Sequence, residues 1–406
     1  MSKLIVEIKD VKNIKLHPNA DKLEVAEIGG WEVVVQKGLL NKGDLVVYIP
    51  PDSILPKSLH EHLGITKYCA ELPTHYEQHI ISDANDGYAQ SEIMHCLYED
   101  TDPQTVVKPT ARRVKAARLR GEASYGTIIT MNSFHEYLTK LDQEEYIEHF
   151  CDKGSNVAQV LHICKWEPPV KSTRGDVAKD HLAFHKYTDI ENWRNYPDVF
   201  TSDDVVIMTE KINGTNSRLG FIPTDNIEEK ESLPYIYVAG SHNTRRKKPD
   251  SENHNSLYWM PYKLVPNLKR MMFDLWDIHN KASIVVFGEI YGAGIQDMHY
   301  DRQNDISFRA FDISIDGQYM NYEKYKWFKK YEIPYVPILY TGPYSKEKVL
   351  ELTDGETTLG THQKFKGREG VVITHSLEET DPLIGRKILK SISVDYLSRK
   401  NATDSH

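Results

Sequence analysis

The chain has 406 residues, enough for two domains with cores of ordinary size, and a net charge of −9. An apolar share of 40% beside 27% charged residues fits a soluble globular protein, and the lack of any apolar run of 18 residues excludes a helical membrane span. The acidic balance excludes a uniformly basic nucleic-acid binder but leaves room for local basic patches, on which such binding depends.

Residues 1–8 alternate polar and apolar like a strand and lack a signal-peptide pattern, so the expected location is the cytoplasm, with the nucleus left open. Residues 4–8, 23–28, 31–35 and 45–49 are strand-like runs rich in Val and Ile. Gly29-Gly30 fits a hairpin turn, residues 41–44 mark another turn, and 17–22 read as a turn entering a strand. Short strands of this kind suit a small closed barrel. Residues 57–110 look irregular, and their histidines (His60, His62, His75, His79, His95) have no metal-ligand spacing, so the stretch reads as an insertion loop. Cys69, Cys96, Cys151 and Cys164 form no close pair along the chain and are expected to be reduced structural thiols.

Strand patterning resumes at 114–119 and 126–131. Arg112, Arg113, Lys115, Arg118 and Arg120 fall within nine residues that contain no acid, whereas acids gather elsewhere, as at Asp142, Glu144, Glu145 and Glu148. The run is a candidate nucleic-acid contact, its alternative being a plain solvated face. Pro168-Pro169 and the following residues 171–175 make the best domain boundary, dividing the chain into 1–168 and 169–406.

In the second part, 186–193 reads as a helix. The apolar run 205–208 reads as a strand ending in Thr209-Glu210-Lys211, with Ile212-Asn213-Gly214 turning after it. This places an amine at a strand end beside a turn where backbone can approach a phosphate. Only about one free lysine in a few thousand is uncharged at neutral pH, so a nucleophilic lysine needs a neighbouring cation or burial. Residues 285–292 deliver Glu289 into a glycine-flanked turn; 308–315, 316–317 and 318–321 form a hairpin; 322–331 and 346–352 read as amphipathic helices. The whole is expected to be α+β, a β-barrel followed by a mixed α/β domain with antiparallel sheets.

Six strings recur in fixed order over about 180 residues. They are Glu210-Lys211-Ile212-Asn213-Gly214-Thr215-Asn216, the basic loop 240–248 with Arg245, Arg246, Lys247 and Lys248, then Phe287-Gly288-Glu289, Phe308-Arg309-Ala310-Phe311-Asp312, Arg368-Glu369-Gly370-Val371-Val372, and Lys387-Ile388-Leu389-Lys390. Together they resemble motifs I, Ia, III, IIIa, IV and V of the covalent nucleotidyltransferases, and motif I looks like that of nick-sealing RNA ligases. The N-terminal part is similar to tRNA-binding OB domains. The string 118–126 resembles the last barrel strand of RNA ligases with an N-terminal OB domain, and 157–169 resembles their helix and linker. The chain thus looks like an ATP-dependent RNA ligase of the fifth RNA-ligase family.

The resemblance implies lysyl–AMP on Lys211, transfer of AMP to a 5′-phosphate, and sealing by a 3′-hydroxyl, expected at nicks with an RNA 3′-OH strand in RNA repair. Lys390 and Lys387 would assist catalysis, and Mg2+ or Mn2+ would be held through water by Glu369. Glu210 would meet the adenine amino group, Asn216 and Arg245 the ribose and phosphates, and Glu289 a ribose hydroxyl. Phe311 and Val372 would sandwich the adenine. Arg112, Arg113, Lys115, Arg118, Arg120, Arg246, Lys247 and Lys248 would contact RNA in a nicked duplex or RNA/DNA hybrid, with no obligatory protein partner implied. Two positions depart from the family. Its motif V has Lys-x-Lys where this chain has Lys387-x-x-Lys390, which makes Lys390 the firmer assignment, and Asn213 stands where many relatives have Asp or His. The alternatives are a capping guanylyltransferase or DNA ligase, which usually carry an OB domain after motif V where only 16 residues follow Lys390 here, or a non-catalytic RNA-binding protein.

Overall fold

Val- and Ile-rich alternation, which suits a half-buried pleated surface, makes β1 (Glu7–Leu16), β2 (Leu23–Ile28), β3 (Trp31–Gln36) and β4 (Leu45–Ile49). The computed structural model describes residues 4–74, 76, 87–99, 108–143, 145–146, 152–167, 176–224, 234–249, 256–360, 365–399 and 402–403. The boundary string 168–169 with 171–175, Cys151, His75, His79, Glu144 and Glu148 lie outside them. Among the described residues, no helix is long and apolar enough to cross a membrane.

Two compact units emerge. The first comprises Met1–Lys171, Glu191–Pro197 and Ile392–His406. After β4 come a hairpin of β5 (Ala116–Leu119) and β6 (Glu122–Tyr125), then β7 (Thr127–Thr130). The main sheet is antiparallel in the order β7-β4-β1-β2-β3, and β6 packs against β3. The string 118–126, expected to be one barrel strand, is instead mostly this hairpin, turning at Arg120-Gly121, where both residues have positive φ. The core (Ile8, Val47, Ile49, Leu59) is shared with helix Met131–Lys140, whose first turn is capped by Thr130 accepting from the Ser133 amide at 3.3 Å.

The stretch 57–110 is less irregular than its composition suggests. It contains helices Lys57–His62 and Gly87–Tyr98, and Leu72, Tyr76, Cys96, Leu97 and Trp166 build a small core of their own against Ile54. The Cys96 thiol donates to the Ile54 carbonyl at 3.6 Å, and the influence of Cys164, far away in the chain, together with burial pushes that thiol up. Residues 157–161 form turns and not the expected helix, with Asn156 Oδ1 accepting from the Ala158 amide at 3.0 Å.

The division at 168/169 differs from the observed units because the C-terminal residues belong to the first one. Arg118 pairs with Asp395, Lys115 donates to the Ser398 and Arg399 carbonyls, and Arg113 donates to the Ala402 carbonyl. The Thr403 hydroxyl donates to Asp52 at 2.7 Å. Likewise Arg194 lies over the Tyr125 ring at 4.1 Å, and Trp31 donates to Asn195 at 3.1 Å.

The second unit, Ser172–Ile190 with Asp198–Ser391, holds two larger antiparallel sheets and a small ribbon of Thr380–Asp381 with Gly385–Arg386. Its strands are β8 (Val205–Lys211), β9 (Thr215–Pro223), β10 (Tyr235–Gly240), β11 (Arg245–Arg246), β12 (Ile284–Gly292), β13 (Ile306–Ile315), β14 (Ile338–Pro343), β15 (Gly370–His375) and β16 (Ile388–Ile392). One sheet runs β16-β15-β8-β14, and the other runs β11-β10-β9-β12-β13. The larger sheet buries one face (Leu219, Phe221, Val286, Ile290) against helix Leu268–Ile278, which turns Leu268, Met271, Met272 and Leu275 inward at helical spacing. Its other face carries Phe184, Tyr187, Ile222, Val285 and Phe287. The helix expected at 186–193 does not form. Residues 185–190 are irregular, Glu191–Asn192 is a short strand, and Trp193–Asn195 is a single 3₁₀ turn. Long-range contacts override the local pattern, since the Tyr187 hydroxyl donates to Asp312 at 2.9 Å. The overall class is α+β.

Candidate active site

Lys211 is the last residue of β8, which reaches it through the buried run Val206–Met208. The chain must reverse at once into β9, and the turn fits only a residue without Cβ. A Cβ at Gly214 would sit 2.3 Å from the Ile290 carbonyl oxygen and 2.8 Å from Glu289 Cγ. The buried Tyr300 hydroxyl accepts from the Asn213 amide at 2.7 Å and fixes the turn. Lys211 Nζ donates to Glu369 Oε1 at 2.6 Å, with the Glu369 side chain 1% exposed and that of Lys211 13%. The two meet because Lys211 pairs with Gly370 in the β8–β15 register, and Glu369 is the residue before that strand.

Glu289 lies across from Asn216 in the β9–β12 register and accepts from the Gly214 amide. Burial pushes its carboxyl up to about 8; the Glu369 charge adds to this, while Lys211 and the Gly214 amide oppose it. Buried Asn216 Oδ1 has no hydrogen-bond partner among the described residues. Register and alternation set Asn216, Arg218, Phe287 and Glu289 on one sheet face, with Arg245 reached through Gly240 on the adjoining strand. Phe311 sits at a bulge, between the pairs Phe287–Asp312 and Gly288–Ala310, and its ring meets Tyr187 edge-on at 4.9 Å.

On the smaller sheet the alternation separates neighbours. Glu210 is 1% exposed, and its carboxylate accepts from the hydroxyls of Thr357 and Thr358 and from the Thr358 amide at 2.9 Å. An adenine amino group would have to compete with these donors. The face of Glu210 is the one covered by helix Lys346–Thr353, to which Ser391 is bonded through Thr353 at 2.8 Å. Lys211, half-buried Val372 and the 1% exposed Lys390 therefore fall on the opposite face.

Lys387 is a correction. Its ammonium donates to both oxygens of Asp204 at 2.8 and 2.9 Å, beside His375 and Glu379. Asp204 precedes β8, so this pair is roughly 20 Å of strand away from Lys211. The basic run 112–120 is a second correction. Arg113 is buried at 4% exposure, bonded to Asp52 through Nε at 2.9 Å and stacked on Trp166 at 3.5 Å. Arg112 lies 3.6 Å from Glu71, Lys115 and Arg118 hold the C-terminal residues, and Arg120 is exposed. In the second basic loop Arg246 pairs with Asp176 at 2.6 Å, whereas Lys247 and Lys248 are exposed.

Sequence reasoning missed the ion network behind Phe311. Asp312 is 1% exposed and joins Lys324 at 2.9 Å and Arg386 at 2.6 Å, and the Tyr187 hydroxyl completes it. Asp312 stands next to Phe311 in a recognised string, but Lys324 and Arg386 carry no local signal.

Residues 204–392 match the family model described as RNA ligase, and residues 5–69 match an OB-fold domain. No match was found among curated proteins. Solved structures of Naegleria gruberi RNA ligase share the fold. A lysine-to-alanine mutant with ATP and Mn is 21% identical, with 97% of this chain and 98% of that chain covered and a TM-score of 0.65. The same enzyme with PPi is also 21% identical over 97% and 98% of the two chains, at a TM-score of 0.64. Identity at this level establishes the fold, while the family match rests on the sequence itself. Residues 204–392 are thus an RNA ligase domain by their family match, and residues 5–69, ahead of it in the chain, match an OB-fold domain.

Proposed function

We propose that this RNA ligase is ATP-dependent, forms lysyl–AMP on Lys211, and seals 3′-hydroxyl and 5′-phosphate ends at nicks with an RNA 3′ strand, as a repair enzyme. The observation that carries the reading is the 2.6 Å contact between Lys211 and buried Glu369, with Glu289 close enough for its charge to be felt. Attack on phosphorus forms the Nζ–P bond, releases pyrophosphate, and requires the amine to shed a proton. The 5′-phosphate oxygen then takes the adenylyl group and frees Lys211. Last, the 3′-hydroxyl attacks the phosphorus of the adenylylated 5′-phosphate, forming the 3′–5′ bond, and AMP leaves.

Each residue has a physical task. Glu369 holds and orients the Lys211 amine. Lys390, buried on the Lys211 face, contributes positive charge that favours the neutral amine and steadies the phosphate. Asn216, with an unpartnered buried amide oxygen, and Arg245 suit the ribose and phosphates, Glu289 suits a ribose hydroxyl, and Phe311 with Val372 suits the base. The donor set also fits a divalent cation, because two carboxylates crowd together and burial drives one of them toward its neutral form. Mg2+ or Mn2+ bound there, Glu369 acting through water, would neutralise phosphate charge. Of the basic residues, Lys247, Lys248 and Arg120 are exposed and suited to the RNA backbone.

The Naegleria structures carry ATP, AMP, Mn or PPi, which supports this choice of nucleotide and metal. The test is covalent labelling with α-labelled ATP and a divalent cation. The protein should be tagged, GTP should not substitute, and Lys211→Ala should remain blank. Equal tagging of Lys211→Ala would refute the assignment, and preference for GTP would move the reading to a capping guanylyltransferase.

A further inference from the structure

Arg218 is 1% exposed yet has no ion-pair partner among the described residues. Its Nε donates to the Ser241 carbonyl at 2.6 Å and one terminal nitrogen to the Phe184 carbonyl at 2.8 Å, while the guanidinium lies 4.5 Å from the centre of the Phe184 ring. The other terminal nitrogen is buried and unpartnered among the described residues. The Phe184 ring reaches this position because two glycines face it. A Cβ at Gly220 would come within 2.8 Å of the ring, and one at Gly240 within 3.1 Å.

The position is informative. Arg218 stands two residues from Asn216 on the same face of β9, and in register it lies beside Gly240, which in turn lies beside Arg245. Ser241, which Arg218 grips, opens the turn that carries the chain to Arg245, and that turn is closed by the Ser241 amide donating to the Thr244 carbonyl at 2.9 Å. A purely architectural role needs only donors for two carbonyls. A guanidinium in that place is costly, since burial draws its pKa down to about 10 even though the charge of Asp180 opposes the shift. An anion arriving at this sheet face would add to the partial offset that Asp180 gives.

We infer that Arg218 is a positioning residue for the phosphates of the nucleotide, holding the Ser241–Arg245 turn in place and lending the cleft a buried positive charge. The inference rests on the nucleotide reading of the site. Arg218→Met removes both the grip and the charge, and Arg218→Lys keeps the charge alone. Self-adenylylation is measured against ATP concentration, together with the rise in melting temperature that ATP produces. The Met variant should show a KM for ATP raised about tenfold or more and a smaller ATP-dependent melting shift, with the rate at saturating ATP little changed; Lys should fall between. A structural role would instead lower the melting temperature and leave KM alone. Should Arg218→Met fail to fold, Arg218→Lys still decides through KM. A labelled wild type with KM within twofold in the folded variants overturns the inference alone. A wild type that ATP does not label overturns the nucleotide reading and takes the inference with it.

Discussion

Two lysine–carboxylate pairs mark the two ends of β8, and they differ in what surrounds the carboxylate. At the C-terminal end Lys211 meets Glu369, whose side chain is 1% exposed and which shares its surroundings with a second carboxylate, Glu289. At the other end Lys387 meets Asp204, whose side chain is 12% exposed and which already accepts from the Thr201 amide at 2.7 Å. The first pair carries two buried carboxyl groups beside Lys211, and an incoming cation or a proton relieves their crowding further. The second is a satisfied ion pair that ties the start of a strand. Similar distances thus describe the proposed reactive site and a brace, and the neighbours tell the two apart.

The sharpest way to break this comparison is Lys211→Ala, which should lower labelling by more than about 10³-fold while leaving the melting temperature within a few degrees. Labelling that survives would erase the distinction between the two ends. Glu369→Gln comes next, with a loss of about 10²-fold in the rate of self-adenylylation measured at saturating ATP.

Glu289 offers a pH test without substrate. Between about pH 5 and 8 the folded protein keeps a proton on this carboxyl that the unfolded chain has lost, because the folded value is near 8 and the ordinary value 4.5. Its contribution to stability therefore falls as pH rises through that window, by at most about 1.4 kcal/mol per unit. Urea unfolding of Glu289→Gln without divalent cation should show a flatter pH profile than wild type. Identical profiles would mean that burial does not raise this carboxyl. Lys387→Ala should give the smallest change, about 1 kcal/mol of stability and labelling within twofold of wild type. A large loss of labelling there would return Lys387 to the reaction.

The comparison also explains what could be read beforehand. Glu289, Glu369 and Lys211 were legible because each ends or opens a strand in a short string whose residues act together. The N-terminal strands were legible from Val and Ile alternation, although β1 begins three residues later than residue 4 and runs to Leu16. The helix expected at 186–193 failed because Tyr187 is held by Asp312, more than a hundred residues away. The basic run 112–120 misled at Arg113 for a related reason: charge density in a chain says nothing of exposure, and Arg113 has Asp52, Trp166 and the Ala402 carbonyl around it.

By itself the amino-acid order determined the strand-end amine, the carboxylates that follow it and the presence of an OB-like barrel, since these rest on residue type and on spacing within one element. Only the tertiary structure decided that Lys387 braces the far end of β8, that Glu210 bonds to Thr357 and Thr358, and that Arg218 is buried with its guanidinium on two backbone carbonyls. The reason is that burial and charge pairing arise between segments distant in the chain, where no local pattern carries them.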